Sequence, residues 1–181
     1  CIVKLPNQQD ERTSNEMVSW TDLAPTILDI AGFLKTEQDF HGISFVPALR
    51  GDYLDRSEVY ASHTFHEVTM YYPMRVIRGN KYKLIMNLAS GLEYPFASDL
   101  YASKTWQSVL NNNLDVLGKK PIAEYINRPP FELYDLEIDP NETFNLAMDP
   151  KFDEILSGLK GKLLTFQEAT NDPWIYKWEY E

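Results

Sequence analysis

The chain has 181 residues, of which 44% are hydrophobic and 13% are aromatic, and its formal net charge at pH 7 is −10. The apolar content is enough to bury an ordinary core, which excludes disorder along the whole chain. The excess of negative charge opposes broad electrostatic binding to nucleic acid or to an anionic membrane surface, so we expect neither partner.

Cys1 is the one cysteine, which excludes an internal disulfide bond and a zinc site built from several thiolates. No apolar run approaches the roughly 20 residues that span a bilayer as a helix. The apolar residues at positions 1–5 predict a buried β-strand, and a polar stretch follows at positions 6–16. Because a single strand needs a sheet to join, we expect the chain to begin inside a longer protein.

A short helix is predicted over residues 20–31, where apolar side chains recur at helical spacing. Thr21 or Asp22 is placed to cap its first turn, and Gly32 follows its last turn. The apolar positions of this helix are Leu23, Ile27, Leu28 and Ile30.

Residues 41–51 (HGISFVPALRG) predict a loop that leads into a turn of helix, and residues 58–62 alternate as a strand. Residues 74–78 and 82–86 predict an antiparallel hairpin whose turn is Gly79-Asn80, a dipeptide typical of tight turns. The pattern therefore changes here to that of an antiparallel sheet.

Residues 87–130 are rich in Asn, Ser, Pro and aromatic side chains, and predict a long excursion with at most one short helix, near residues 105–110. Such excursions often cover a binding cleft. Residues 131–136 (FELYDL) predict another strand, and residues 139–142 predict the turn that ends it.

The last predicted element is an amphipathic helix over residues 152–167 that packs on a sheet. Its apolar stripe consists of Phe152, Ile155, Leu156, Leu159, Leu163 and Phe166, while Asp153, Lys160, Lys162 and Gln167 fall elsewhere. The predicted fold class is α+β, in two parts. Residues 1–65 supply a strand, a helix and a strand of a larger α/β layer, and residues 66–181 form a small antiparallel sheet with a C-terminal helix.

The three histidines are His41, His63 and His66, and the last two face opposite sides of a regular strand at their spacing of three. We therefore predict no metal site, and expect surface or hydrogen-bonding histidines. The alternating acidic residues between positions 135 and 139 predict a solvated strand face and a turn rather than an acid and base pair.

Four basic residues on the predicted hairpin allow two interpretations. They could bind an anion such as sulfate, phosphate or carboxylate, or they could protect an exposed sheet edge. The four are Arg75, Arg78, Lys81 and Lys83. The sequence has no glycine-rich phosphate loop and no GxSxG nucleophile elbow, so the residues alone describe a module without a complete active site.

Three stretches of the sequence resemble the sulfatase family. VSWTDLAPTILDIAG (18–32) and HGISFVPALRG (41–51) resemble the segment that closes the large sulfatase domain. FELYDLEIDPNETFNLAMDPKF (131–152) resembles the strand, turn and helix start of the C-terminal subdomain.

Within that family, three further stretches are similar to the sulfamidase branch, the N-sulfoglucosamine sulfohydrolases or heparan N-sulfatases. They are HEVTMYYPMR (66–75), YPFASDLYASKTWQSVL (94–110) and NDPW (171–174). The resemblance extends in order over nearly the whole chain beyond residue 18. It implies the C-terminal part of an alkaline-phosphatase-like sulfatase fold, with a small antiparallel sheet packed against a C-terminal helix.

The resemblance also implies a mechanism. In this family a formylglycine made from the Cys or Ser of a C/S-x-P-x-R motif attacks the sulfur atom, and calcium neutralises the sulfate charge. The chain contains no such motif, since Cys1 is followed by Ile-Val-Lys-Leu. We therefore expect calcium and formylglycine in the full-length enzyme, and no catalytic residue, metal ligand or cofactor in this chain.

By position in the resemblance, His66, Glu67 and Arg75 are the candidates for substrate contact, with a sugar hydroxyl or a second anionic group as the target. The same residues could instead hold the two domains together through buried hydrogen bonds and ion pairs.

The leading hypothesis is that the full-length protein hydrolyses the N-sulfate of glucosamine in heparan-type glycans, and that this chain alone is inactive. The alternatives are an O-sulfatase of the same superfamily and a non-catalytic binding module derived from the sulfatase C-terminal domain. Expected partners are a sulfated glucosamine or heparan oligosaccharide, the missing N-terminal sulfatase domain, and further copies of the chain through exposed apolar surface. The resemblance implies a periplasmic or secreted enzyme if the source is bacterial, which the acidic composition favours, and a lysosomal one if it is animal.

Overall fold

A computed structural model of the chain describes residues 1–6, 9, 11–35, 40–67 and 70–178. The chain divides into two compact units, Cys1–Val59 and Tyr60–Glu181. The sequence-based boundary at residue 65 concerns the domains of a whole sulfatase and stays a prediction. No helix within the described ranges has the length and apolar character needed to cross a membrane.

The strand predicted at residues 1–5 is wrong. These residues join neither of the two sheets, and the side chain of Ile2 is 99% exposed. Val3 instead packs against a small core of Phe45, Ala48 and Leu54. The reason is that a strand needs backbone partners, and without a neighbouring strand this short apolar run cannot form a ladder.

The predicted first helix is confirmed as a 3-10 turn over Trp20–Asp22 followed by helix α1 over Leu23–Ile30. Gly32 follows it at a φ of 74°, in the left-handed region that ends many helices. The predicted second turn of helix is α2 over Val46–Arg50, and Gly51 ends it at a φ of 101°.

Asp22 ties the first unit together, because its fully buried carboxylate accepts hydrogen bonds from three separate segments. The backbone N–H groups of Ser19 and Ile43 donate to it at 2.6 and 3.0 Å. Arg56 donates two parallel bonds at 2.5 and 2.8 Å. Burial by itself raises the pKa of Asp22, but these hydrogen bonds, led by that of Arg56, outweigh it and hold the pKa below its usual value.

The second unit is built on four strands, which are β1 over Glu58–Phe65, β2 over Tyr71–Gly79, β3 over Tyr82–Asn87 and β6 over Phe131–Asp135. They form one sheet in the order β1-β2-β3-β6. β2 pairs antiparallel with β3, and β3 pairs antiparallel with β6. The predicted hairpin is therefore confirmed, but its loop is Asn80 and Lys81, one residue later than expected, because β2 extends to Gly79.

Helix α6, over Asp153–Ala169, packs on one face of this sheet and confirms the predicted amphipathic helix. The core between them contains Ile77, Leu84, Met86, Leu88 and Leu163. One position differs from the prediction, since Gln167 is fully buried rather than on a polar face. Its side chain is retained inside because it donates to Asp172 and accepts from Trp178.

The segment between β3 and β6 contains more structure than predicted. Three short helices replace the single one expected, and β4 over Val116–Leu117 pairs with β5 over Lys120–Pro121. The helices are α3 over Ser98–Ala102, α4 over Lys104–Asn111 and α5 over Ile122–Ile126. Helices this short depend on tertiary packing. Here the ring centroids of Phe96, Trp106 and Tyr125 lie 4.5 to 6.1 Å from one another.

Candidate functional site

The connection between β1 and β2 carries two of the predicted substrate contacts, His66 and Glu67. The backbone N–H of His66 donates to the carbonyl oxygen of Met70 at 3.2 Å, and the N–H of Met70 donates to the carbonyl oxygen of Glu67 at 2.9 Å. The Met70 side chain is buried, so these bonds anchor the connection to the protein. Val68 and Thr69 of the same stretch lie outside the described residues.

The Glu67 carboxylate is held from one side by Ser98, the first residue of α3. One of its oxygens accepts from the Ser98 hydroxyl at 3.1 Å, and the other accepts from the Ser98 N–H at 3.3 Å. A carboxylate oxygen can accept more than one hydrogen bond, so both oxygens keep capacity for a ligand. Glu67 is half-buried and His66 is exposed, which leaves both side chains within reach from solvent.

Arg75, the third predicted contact, lies on β2 with only 6% of its surface exposed. Its Nε and Nη2 atoms donate to the two carboxylate oxygens of Asp172 at 2.5 and 2.8 Å. Its Nη1 atom donates to the carbonyl oxygens of Met74 and His63 at 2.8 and 3.3 Å. All three guanidinium nitrogens therefore have acceptors inside the second unit, an arrangement that fits support of the strands.

Asp172 receives further hydrogen bonds that fix it beneath the sheet. The Nε2 atom of Gln167 and the backbone N–H of Trp174 both donate to it at 3.0 Å. Burial by itself raises the pKa of Asp172, but these bonds and those of Arg75 outweigh it and hold the pKa below its usual range. Asp172 is thus ionised at neutral pH and balances the buried guanidinium.

A second polar cluster, which the sequence analysis did not single out, is centred on Glu132 of β6. Glu132 is 3% exposed and accepts from Asn87 at 2.7 Å and from the hydroxyl of Tyr134 at 2.5 Å. Lys120 and Arg128 approach its oxygens at 3.7 and 3.9 Å. The pKa of Tyr134 is raised, mainly by burial and next by its hydrogen bond to Glu132. The phenol therefore stays protonated and donates to the Glu132 carboxylate. Both Glu132 oxygens are therefore engaged, whereas the buried Oδ1 atom of Asn87 has no hydrogen-bond partner among the described residues.

The basic residues of the hairpin are for the most part neutralised. Lys81 lies 3.3 Å from Glu137, and Lys83 lies 2.7 Å from Glu142. Arg75 of β2 is paired with Asp172, and Arg78 is exposed. Because three of the four cations already have acidic partners, the hairpin gains little attraction for a further anion.

The acidic residues of positions 135–139 divide between two roles. Asp139 accepts from the N–H of Thr143 at 2.7 Å and closes the turn that was predicted there. Asp135 is 4% exposed, which makes the predicted solvated face wrong at this position. It tolerates burial because it accepts from the N–H of Glu137 at 3.1 Å and lies 3.6 Å from Lys81.

The described residues do not assemble a metal centre. Among them, no group of three or more His, Cys, Asp or Glu side chains is placed to hold a metal ion. His63 contacts the carbonyl oxygen of Tyr72 through Nδ1 at 3.0 Å, and Cys1 is a free, exposed thiol. The candidate site therefore consists of the exposed His66 side chain and the half-buried Glu67 carboxylate, which Ser98 holds from one side.

Comparison with known proteins identifies relatives over most of the chain. A family model described as N-sulphoglucosamine sulphohydrolase, C-terminal, matches residues 1–127. The chain is 37% identical over 177 residues to human N-sulphoglucosamine sulphohydrolase, covering 91% of this chain and 35% of that protein. It is 32% identical over 171 residues to an ulvan-active sulfatase of Formosa agariphila, covering 88% and 30%. The chain thus spans about a third of the length of these relatives.

A solved structure of a 2-O GAG sulfatase has a similar fold, with a TM-score of 0.57 and 25% sequence identity. The match covers 84% of this chain and 25% of that one. The predicted fold class, an α+β C-terminal part of a sulfatase with an antiparallel sheet against a C-terminal helix, is confirmed by this match and by the packing of α6 on the sheet.

Proposed function

The chain belongs to the sulfatases, in the family of C-terminal domains of N-sulphoglucosamine sulphohydrolases, and from that membership we propose a function for the longer protein of which it would form part. That protein hydrolyses the N-sulfate of glucosamine in heparan-type glycans. The observation that carries this proposal is the 37% identity to the human sulphohydrolase over 177 residues.

An O-sulfatase is the second candidate, and the similarity to a 2-O GAG sulfatase supports it. Specificity between N-sulfate and O-sulfate depends on a few pocket contacts, which related sulfatases can exchange without changing the fold. A non-catalytic binding module is the third candidate. Its support is that the described residues provide neither a nucleophile of the family type nor a group of metal ligands.

Calcium and formylglycine are the cofactors that the proposed reaction requires, and the residues of this chain do not fit either of them. The described side chains offer no metal-binding group, and Cys1 is followed by Ile-Val-Lys-Leu rather than by the family motif. We therefore propose that the upstream part of the protein holds both.

The contribution of this chain would be a wall of the substrate pocket. We propose that His66 and Glu67 contact a sugar hydroxyl or a second anionic group, as their exposure on the β1–β2 connection allows. Arg75, whose nitrogens are occupied by Asp172 and two carbonyl groups, would act by fixing the strand that follows this connection.

Two substitutions in the longer protein test whether Glu67 contacts the substrate or only supports the β1–β2 connection. Glu67→Ala is expected to raise KM about tenfold, the effect of one lost hydrogen bond to a charged group. Ser98→Ala, which removes only the hydroxyl that tethers Glu67, is expected to raise KM by less than half that factor. Steady-state kinetics on N-sulfoglucosamine measures both. Equal effects of the two variants would show that Glu67 only anchors the connection to α3.

The substrate proposal is tested by expressing the longer protein together with a formylglycine-generating enzyme. Sulfate release from N-sulfoglucosamine is then compared with release from a 2-O-sulfated uronate sugar. Release from the N-sulfated sugar alone supports the leading proposal, and release from the O-sulfated sugar alone supports the second. Absence of release from both would favour the non-catalytic module.

A missing partner domain is supported by an apolar surface on the first unit. Trp20 is 88% exposed, and Ile27, Ile30 and Phe33 are 63, 50 and 72% exposed. Trp20, Ile27 and Ile30 recur at the spacing of one helix face. We propose that the upstream sulfatase domain covers this face in the longer protein.

In the 181-residue chain this uncovered face is expected to cause concentration-dependent self-association. Replacing Trp20 and Ile27 together by Ser and Gln should leave a monomer over the same concentrations, because two of the three apolar side chains on this helix face are removed. Sedimentation velocity measures the change, and Tyr53→Ser, at a 73% exposed residue elsewhere in the unit, is the control. A compact monomer of the unmodified chain that binds no apolar dye would refute the proposal.

A further inference from the structure

A cleft of about 330 Å³ lies in the second unit between α6, the sheet and the segment that follows α6. Its lining includes Phe131, Lys160, Lys177 and Trp178. Two lysines and two aromatic rings therefore face one cavity, and no carboxylate of the described residues lines it. Lys177 already has an interaction of its own within the chain, so Lys160 is the cation on which the cleft depends.

Lys160 is the central cation of this cleft. Its Nζ atom lies 3.9 Å from the centroid of the Phe131 ring and 5.9 Å from that of Trp178. Ring faces attract an ammonium group but do not neutralise its charge. Lys160 forms no ion pair with any described residue. Its charge is therefore held in place and is open to an anion.

The two aromatic rings of the cleft, those of Phe131 and Trp178, are fixed in position before a ligand binds. The rings of Phe131 and Trp178 lie 6.0 Å apart with an angle of 35° between their planes. The indole Nε1 of Trp178 donates to Oε1 of the fully buried Gln167 at 2.7 Å. Because this bond fixes the indole before any ligand arrives, little ordering cost remains for binding.

We propose that this cleft binds an acidic sugar residue of a glycan. A carboxylate or sulfate group of that residue pairs with Lys160, and the apolar face of the sugar ring lies against Trp178 and Phe131. The cleft volume falls at the small end of the range of ligand pockets and suits one or two sugar units. The choice of a glycan rests on the proposed function, and the site is separate from His66 and Glu67 in its residues.

Calorimetric titration of the 181-residue chain tests the proposal without any turnover. The probes are a heparin tetrasaccharide with carboxylates and sulfates, a heparosan tetrasaccharide with carboxylates only, and a neutral chitin tetrasaccharide. Binding of heparin alone identifies a sulfate as the paired group, and binding of both acidic probes identifies a carboxylate. Binding of the neutral sugar as tightly as of the acidic ones would overturn the proposal.

Variants of the lysine connect binding to this cleft. Lys160→Gln is expected to weaken binding of the acidic tetrasaccharide about tenfold, because one charge-assisted contact is lost. Lys160→Arg should retain most of the binding, and Lys151→Gln, at an exposed lysine just before α6, should leave it unchanged. Equal thermal midpoints show that the variants are folded, and unaltered binding by Lys160→Gln would overturn the assignment. A longer protein that releases no sulfate would refute the proposed function and leave this binding result standing.

Discussion

Replacement of Asp172 by alanine is expected to lower the free energy of unfolding of the chain by about 3–5 kcal/mol, the usual cost of leaving a buried partner charge alone. The variant keeps the guanidinium of Arg75 at 6% exposure but removes its two carboxylate acceptors. It also removes the acceptor of the Gln167 amide inside the same core. Chemical denaturation followed by far-ultraviolet circular dichroism measures the loss.

The control for this prediction is Asp115→Asn, an exposed acid of the same unit, which is expected to change stability by less than about 0.5 kcal/mol.

Asp172→Asn tests the charge itself. Because the pKa of Asp172 is lowered from 3.8 in the folded chain, its contribution is present above that pH and is lost as the pH falls through the folded value. The free energy of unfolding of Asp172→Asn should therefore fall less steeply than that of the unmodified chain as the pH is lowered. Equal stability of Asp172→Ala and the control would contradict a buried ion pair.

Replacement of Asp22 by alanine is expected to destabilise the first unit by about 3–5 kcal/mol, for the same physical reason. Its carboxylate is fully buried and joins Ser19, Ile43 and Arg56, which lie on three segments of the unit. Backbone amides of α1 and α2 should therefore exchange with solvent about a hundredfold faster or more. Hydrogen exchange resolved by residue measures this, with the amides of α6 in the second unit as the internal reference.

Arg56→Ala supplies the matched variant. It leaves Asp22 with its two backbone donors, so its effect is expected to be smaller than that of Asp22→Ala. The double variant should cost less than the sum of the two single changes, because each single change removes the same pair. Unchanged exchange in α1 after Asp22→Ala would show that the carboxylate does not organise the unit.

The elements predicted from sequence are those whose signal is local. The apolar stripe of α6 depends on neighbours three to four residues apart, and the β2–β3 hairpin is marked by two apolar runs around Gly79-Asn80, so each can be identified in a short window. The apolar run at residues 1–5 is also a local signal, but a strand needs a partner, and that requirement is not local.

The failures within the second unit come from tertiary contacts that leave no periodic pattern in the sequence. Gln167 has a polar side chain at a helical position, and only Asp172 and Trp178 make its burial favourable. The short helices α3 to α5 carry no long periodic stripe, since their stability comes from aromatic side chains that meet across the segment.

The candidate site shows the same division. The resemblance of residues 66–75 to the sulfamidase branch indicated His66, Glu67 and Arg75, but their partners are 31 positions away at Ser98 and 97 positions away at Asp172. The NDPW stretch was recognised as a similarity, and its aspartate was the available signal for a buried partner of the arginine. In the cleft around Lys160, the side chains proposed to bind are Phe131 of β6, Lys160 of α6 and Trp178 of the segment after α6. They share no common pattern in the sequence.

The measurement that tests the central claim most directly compares sulfate release by the 181-residue chain and by the longer protein, both produced with a formylglycine-generating enzyme, on a chromogenic sulfate ester and on N-sulfoglucosamine. The chain alone is predicted to give no turnover above the buffer background, and the longer protein is predicted to release sulfate. Turnover by the 181-residue chain itself would contradict the account, because it would require a catalytic group that we assign to the upstream domain.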